Sequence, residues 1–455
     1  MTDPLLDTIQ KIPGSYGLPV IGMLSDTLDF FFVSGWQRFF LRRRSRYQSD
    51  VFKVNLFRPT IVVLDQKGIE PLFASKQFRQ DHGFSWAVPA PQLVGDVIPS
   101  IFEFGAAHDL PKQLYMAMLR LRASTLLDVF TATAERFGRK WVDARSFSFQ
   151  SELESFAVEF LFLWYFGMRP DAAKVRELYL GLFSHVFWRI TRFLPWSAYR
   201  RSLTTYRQLL DELKGSPGLP ELMLVARKLG MHDDEATIKQ LLFVSGMNSF
   251  LGLQNLCKSV VGELSHRPEL CARLRAEIHH AFGDGPPHSM DSLSALRLPL
   301  LDKTLREIVR LHPPVSLLFG RATEDRLITI HDGRTFQMRR GELLMGVLPI
   351  AMRDHRIFPA PEQFDPSRFD EPAARDSLIW PRGHQDQVVS ASDRTCPGKD
   401  VSMEIMKLLC IWLLPRYQWQ LRDPPVWDER VFGLNVAAPK GSMLVDDFRA
   451  VAPAG

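Results

Sequence analysis

Cysteine is scarce. The 455 residues hold four, Cys257, Cys271, Cys396 and Cys410, and none stands in a C-x-x-C pair. This spacing excludes the common zinc sites. So few cysteines in so long a chain argue for a reducing compartment rather than a disulfide scaffold. Any run of five or more Lys and Arg is also missing; the densest basic cluster is Arg42, Arg43 and Arg44. With 56 basic and 51 acidic residues the formal charge is +5, a solvated face and not the basic stripe of a nucleic-acid binder. No apolar run reaches the length of a membrane span, and the stretch from Phe30 to Leu41 is broken by Trp36, Gln37 and Arg38. The segment MTDPLLDTIQKIPGSYG has no basic region followed by an apolar core, so it does not read as a signal peptide. Internal repeats and low-complexity linkers are absent. These absences predict a cytoplasmic protein with no nucleic-acid partner. Peripheral membrane contact stays open, since a mild basic bias suits anionic lipids or fatty acids.

What is present is ordinary globular composition, 46% hydrophobic and 24% charged. A chain this long can build a core that encloses a bulky cofactor. Strand-like alternation appears in VFKVNLFRPTIVVLD, near residues 50–65. From there to about residue 315 the pattern is mostly helical. Asp233, Asp234 and Glu235 suit the N-terminus of one long helix running to Ser265. Strands return near 325–350, with a hairpin turn at Asp332-Gly333, and again near 415–450. No clean boundary divides the chain, which predicts one mainly α domain with small β-sheets over residues 1–455.

Two segments carry chemistry. In WPRGHQDQVVSASDRTCPGKDVSMEIMKLLCIWLL, Cys396 stands at a helix start, where backbone N–H groups and the helix dipole favour a thiolate. Gly398 lets the backbone pass close to a flat group, and Arg394 can pair with an anion. Read alone, Cys396 is more readily a buried cysteine at a helix start. In LREIVRLHPPV, Glu307 and Arg310 share one helix face. Such a pair at a surface has little energetic value. Arg368 in FDPSRF supplies a third member, and a buried Glu–Arg–Arg set would hold the loop ahead of the cysteine.

The set Glu307-x-x-Arg310, FDPSRF with Arg368, and Arg394-x-Cys396-x-Gly398, in that order, resembles the cytochromes P-450. The resemblance implies a mainly α fold with small β-sheets around haem b (iron protoporphyrin IX). Cys396 would be the proximal thiolate ligand, and Arg394 and Gly398 would lie against the cofactor. His108 and Lys112, in HDLPKQLYMAML, match the place where this family positions propionate partners. A solvated polar face is the plain alternative for that pair.

Two departures narrow the resemblance. Oxygen-activating members carry an acid–threonine pair in the long central helix, and here FVSGMNSFLG, from Phe243 to Gly252, contains no Asp, Glu or Thr. The loop before Cys396 is also longer than usual. Both features resemble the plant-type fatty-acid hydroperoxide branch: allene oxide synthases, hydroperoxide lyases, divinyl ether synthases and epoxyalcohol synthases. The segment IPGSYGLPVIG, the stretch RLHPPVSLLFGRA and the ending CPGKD look like theirs as well. The resemblance implies O–O homolysis of a ready-made hydroperoxide, with no dioxygen, NADPH or redox partner. Catalysis would rest on Cys396 and Asn248, whose amide can both donate and accept. Met247 and Ser249 would line the pocket, with Phe84 in DHGFSWAVP and Val436 in FGLNVAAP. Ser249 matches the allene oxide synthase form, which makes dehydration to an allene oxide the expected outcome. Lyase or epoxyalcohol chemistry is the alternative on the same substrates. A monooxygenase needing a redox partner and a non-catalytic haem protein are the readings from outside the branch.

Overall fold

The structure is a computed structural model. It describes residues 9–18, 20–74, 78–81, 94, 97, 103–183, 188–283, 298–380, 383–427 and 439–451. Its largest sheet has the order β1-β2-β5-β4-β3, built from β1 (Val51–Leu56), β2 (Arg58–Val63), β3 (Phe78–Gln80), β4 (Leu317–Ala322) and β5 (Leu343–Val347). The segment expected as one alternating stretch is a hairpin, because the chain reverses at Phe57 with φ +59°. Strand β2 then pairs in parallel with β5, Ile61 opposite Leu344. Continuous apolar residues in β2 follow from burial on both faces. Ile61 and Val63 join the main helical core, while Val62 packs with Phe39 and Phe40 in a second cluster. The turn at Asp332-Gly333 joins Arg326–Thr329 to Thr335–Met338 as an antiparallel pair, with Gly333 at φ +85°. Toward the C-terminus the strands are only two residues long, such as Tyr417–Gln418 against Arg449–Ala450.

Helices dominate the rest. Those that position the site are α1 (Ala106–Arg122), α2 (Phe149–Phe166), α3 (Asp234–Met247), α4 (Gln254–Ser265), α5 (Pro299–Leu311) and α6 (Lys399–Arg416). Helix α3 starts where the acidic residues predict, since the Asp233 side chain accepts from Ala236 N at 3.0 Å. The one long helix expected from Asp233 to Ser265 is interrupted. Between α3 and α4, residues Asn248–Leu253 form a widened π turn, in which Gln254 N reaches back to Ser249 O. The Gln254 side-chain amide donates to Phe250 O, and Asn255 Nδ2 donates to Leu251 O at 3.0 Å. These local amide donors serve carbonyls inside the widened turn, a detail that helical periodicity does not encode. No helix among the described residues is long and apolar enough to cross a membrane.

Candidate haem-thiolate site

Helix α1 carries His108, Lys112 and Tyr115 at i, i+4 and i+7, one face of the helix, and all three are buried. His108 Nδ1 lies 2.8 Å from Asp109 Oδ1. Lys112 Nζ reaches across to the loop before the cysteine, donating to Asp393 O at 2.8 Å and Asp393 Oδ1 at 2.7 Å. The same Asp393 carboxylate accepts from Thr395 N at 2.8 Å and Ser390 N at 3.0 Å. One aspartate thus ties α1 to the loop and shapes the loop itself. Arg394 is buried beside it, with Nη2 donating to Glu103 O at 2.7 Å and its guanidinium 4.4 Å from the Phe104 ring centre.

Cys396 sits three positions before the first residue of α6, partly buried against the main core. Burial pushes its thiol up from the ordinary value. The Gly398 N–H, the Trp380 indole, Lys112 and Lys399 pull it the other way. Trp380 Nε1 is buried and has no nitrogen or oxygen acceptor among the described residues. Lys399 is held close by, donating to Gln385 O at 2.6 Å. Burial outweighs these groups, so the thiolate needs a cation such as haem iron beside it to offset its desolvation.

The cations tell the same story. Burial lowers the pKa of His108 and Lys112 and brings Arg394 down to about 10. Arg394 and Lys112 depress His108 further, and Arg394 depresses Lys112. His108 is thereby kept a neutral imidazole, Lys112 is paired with Asp393, and the Arg394 guanidinium held out of water beside them favours an anion there. Gly398 adds a steric observation. Its φ is −96°, and an added Cβ would meet only Ser402 Oγ and Tyr115 OH, each at 4.0 Å. The protein itself leaves room there, so any demand for glycine comes from a group laid against that backbone. A buried sulfur ringed by N–H and ammonium groups, an open backbone and the buried Arg394 and Lys112 on one side fit a haem with its two propionates.

The central helix faces the same region. Val244, Met247, Asn248, Leu251 and Gly252 are half-exposed while their neighbours are buried, which makes one open stripe along a helix otherwise sunk in the core. An added Cβ on Gly252 would meet nothing within 4 Å. Asn248 opens the π turn, and its Nδ2 donates to Tyr115 OH at 2.6 Å. Ser249 is fully buried, and its hydroxyl donates to Gly246 O at 3.0 Å. Of the two pocket residues expected here, Met247 lies on the open stripe and Ser249 faces into the helix packing. Phe84 and Val436 lie outside the described residues.

Glu307, Arg310 and Arg368 come together as a buried cluster. Arg310 holds Glu307 with two bonds, 2.6 Å from Nε and 2.8 Å from Nη2, and Arg368 Nε reaches Glu307 Oε1 at 3.1 Å. The arginines also donate to Met352 O, Pro359 O and Gln363 O, so the cluster grips the chain between α5 and the cysteine loop.

A family model, cytochrome P450, matches residues 256–445. Chains similar over nearly their whole length carry the same fold: a retinoic acid-bound cyanobacterial P-450 superimposes with a TM-score of 0.74 at 20% identity, covering 97% of this chain and 100% of that one. This chain belongs to the cytochrome P-450 family. Its cofactor is haem b, which Cys396, Gly398, Arg394 and His108 would hold. Among curated relatives of this P-450, a divinyl ether synthase of Selaginella moellendorffii is 27% identical, covering 90% of this chain and 91% of the relative. An allene oxide synthase of Parthenium argentatum is 29% identical, covering 91% and 94%. The linolenate hydroperoxide lyase of Arabidopsis thaliana is 28% identical, covering 90% of each.

Sequence reasoning missed four residues of this P-450 site: Trp380, Asp393, Tyr115 and Tyr165. A signal existed for one of them. Tyr115 continues the His108–Lys112 face by one more step of helical spacing. Trp380 and Asp393 act through loop geometry, which no periodicity reveals.

Proposed function

We propose that this P-450 transforms polyunsaturated fatty-acid hydroperoxides without dioxygen, NADPH or a redox partner, and that the outcome is dehydration to an allene oxide. The observation that carries the reading is Asn248, half-exposed in the π turn of a central helix whose stretch from Phe243 to Gly252 has no acid and no threonine. A haem bound to the Cys396 thiolate supplies homolysis of the peroxide O–O bond. The protein's own part is positional. The Asn248 amide orients the hydroperoxide group by donating to one oxygen and accepting from the other. Met247 and Leu251 on the same stripe offer apolar contact to the hydrocarbon chain. No proton relay is needed, because the substrate already contains the oxidising oxygen.

The relatives support the substrate class, since their names cover allene oxide, divinyl ether and hydroperoxide lyase chemistry. Ser249, buried in the packing of the π turn, supports the allene oxide outcome only by matching the allene oxide synthase form at its position in the central helix. Lyase or epoxyalcohol products would come from the same substrates through a differently shaped pocket. The deciding experiment is mass spectrometry of products after linoleate and linolenate hydroperoxides are added to purified holoprotein without NADPH. Allene oxide hydrolysis products, the α- and γ-ketols, are expected. Chain-cleaved aldehydes would replace the finer assignment by lyase chemistry. Turnover only with an electron donor and dioxygen would replace the whole reading by a monooxygenase, and persistence of the hydroperoxide as with free haem would replace it by a haem carrier. Cys396→Ala should abolish the thiolate-type band of the reduced CO complex together with activity. Asn248→Ala should keep haem and slow cleavage. The cytoplasmic location belongs to this proposal too, against relatives named chloroplastic; cell fractionation tests it.

A further inference from the structure

We propose that Tyr115 and Tyr165 form a buried clamp that fixes the plane of the Asn248 amide, which makes Tyr115 a positioning residue for peroxide cleavage. The inference rests on the hydroperoxide reading above and assigns it a component outside the central helix. Asn248 Nδ2 donates to Tyr115 OH at 2.6 Å, and Tyr115 OH lies 2.8 Å from Tyr165 OH. The two tyrosine rings meet edge to face, 6.0 Å apart at 81°, and both are buried. Three elements thereby join in one hydrogen-bonded line: α2 through Tyr165, α1 through Tyr115, and the π turn through Asn248.

The physical need for such a clamp comes from the side chain itself. The last torsion of asparagine joins an sp³ to an sp² carbon and has a broad, shallow profile, so no rotamer well holds the amide plane. The half-exposed position of Asn248 removes the packing that would otherwise hold it. Tyr115 takes one of the two Nδ2 hydrogens. That leaves Oδ1 and the second N–H pointing in fixed directions, as a donor–acceptor pair for a hydroperoxide requires. Tyr115 is itself held by its ring packing and by Tyr165. Its hydroxyl also stands 4.0 Å from where a Gly398 Cβ would be, so the clamp sets Asn248 in register with the Cys396 loop.

Tyr115→Phe keeps the ring and removes only the hydroxyl, and Tyr165→Phe removes the second member. The readout independent of turnover is the infrared C–O stretch of the ferrous–CO complex, which responds to the direction of nearby dipoles. The wild type is expected to give one narrow band. Tyr115→Phe should broaden or split it, and Tyr165→Phe should do so to a smaller extent, with haem content unchanged. In linoleate hydroperoxide turnover, Tyr115→Phe should lower kcat about tenfold and leave KM within about twofold, as misorientation rather than lost binding predicts. An unchanged CO band in Tyr115→Phe overturns the clamp. A changed band with unchanged kcat overturns its part in cleavage. Should Tyr115→Phe not fold, the band of Tyr165→Phe decides in its place. If the wild type consumes no hydroperoxide, the functional reading fails, while the CO band still tests the clamp by itself.

Discussion

At the scale of single residues, the site is governed by buried charge. Glu307 and Arg310 are 0% exposed, and their worth lies less in mutual attraction than in what breaking the set would leave behind. Glu307 accepts from both arginines and from Asp365 N at 2.9 Å. Glu307→Ala strands two buried guanidinium groups and should cost about 3–5 kcal/mol in urea unfolding. Because the same bonds hold the chain leading to the cysteine, haem retention should fall with it. Unfolding within ~1 kcal/mol of wild type would show that the cluster is not a structural anchor. The three motif members were legible in the sequence by type and order. Their burial was not, since an i, i+3 ion pair on a helix reads the same whether water or protein covers it. Asp393 shows the opposite case: nothing in SASDRTC marks it, yet it joins Lys112 to the cysteine loop.

At the scale of elements, the central helix decides most. Its N-cap at Asp233 and its end at Ser265 follow from the sequence, and its π turn does not. Helix α4 carries a further consequence in Lys258, which is 2% exposed and donates to Gln254 Oε1 at 2.5 Å. Burial lowers its pKa to about 8, against a partial offset from Glu154 on α2. The folded-state value lies below that of the unfolded chain, near 10.4. Below pH 8 both states hold the proton, and the folded protein bears the cost of a buried charge. Between about pH 8 and 10.4 the unfolded chain binds the extra proton, so this lysine makes stability rise with pH across that window. Lys258→Met should therefore be more stable than wild type by roughly 2–4 kcal/mol at pH 7, with the gap closing toward pH 10. Comparing the two proteins cancels the buried tyrosines and thiols, which act in the other direction. Parallel stability curves for the two proteins would remove Lys258 as the source.

At the scale of the whole molecule, most of the exposed large apolar residues among those described gather in two stretches. One includes Leu18, Ile21, Leu24, Leu28, Phe32 and Val33, the other Ile190, Phe193, Leu194 and Trp196. The second is interleaved with exposed Arg189, Arg192, Arg200 and Arg201. Aromatic side chains among arginines suit the interface of an anionic bilayer, which gives the expectation of peripheral membrane contact a specific address. In sedimentation with phosphatidylserine-containing vesicles, the double variant Phe193→Ser/Trp196→Ser should lose most of the bound fraction. Equal sedimentation of variant and wild type would clear this segment of the role. The sequence by itself determined the mainly α architecture and the family, because composition, helix caps and ordered short motifs are local properties that survive without a fold. Only tertiary structure decided that Lys112 turns to Asp393, that Ser249 faces inward, and that two tyrosines from separate helices meet Asn248. The first and the last are contacts between residues 50 to 281 positions apart in the chain, and their geometry exists only once the core has packed.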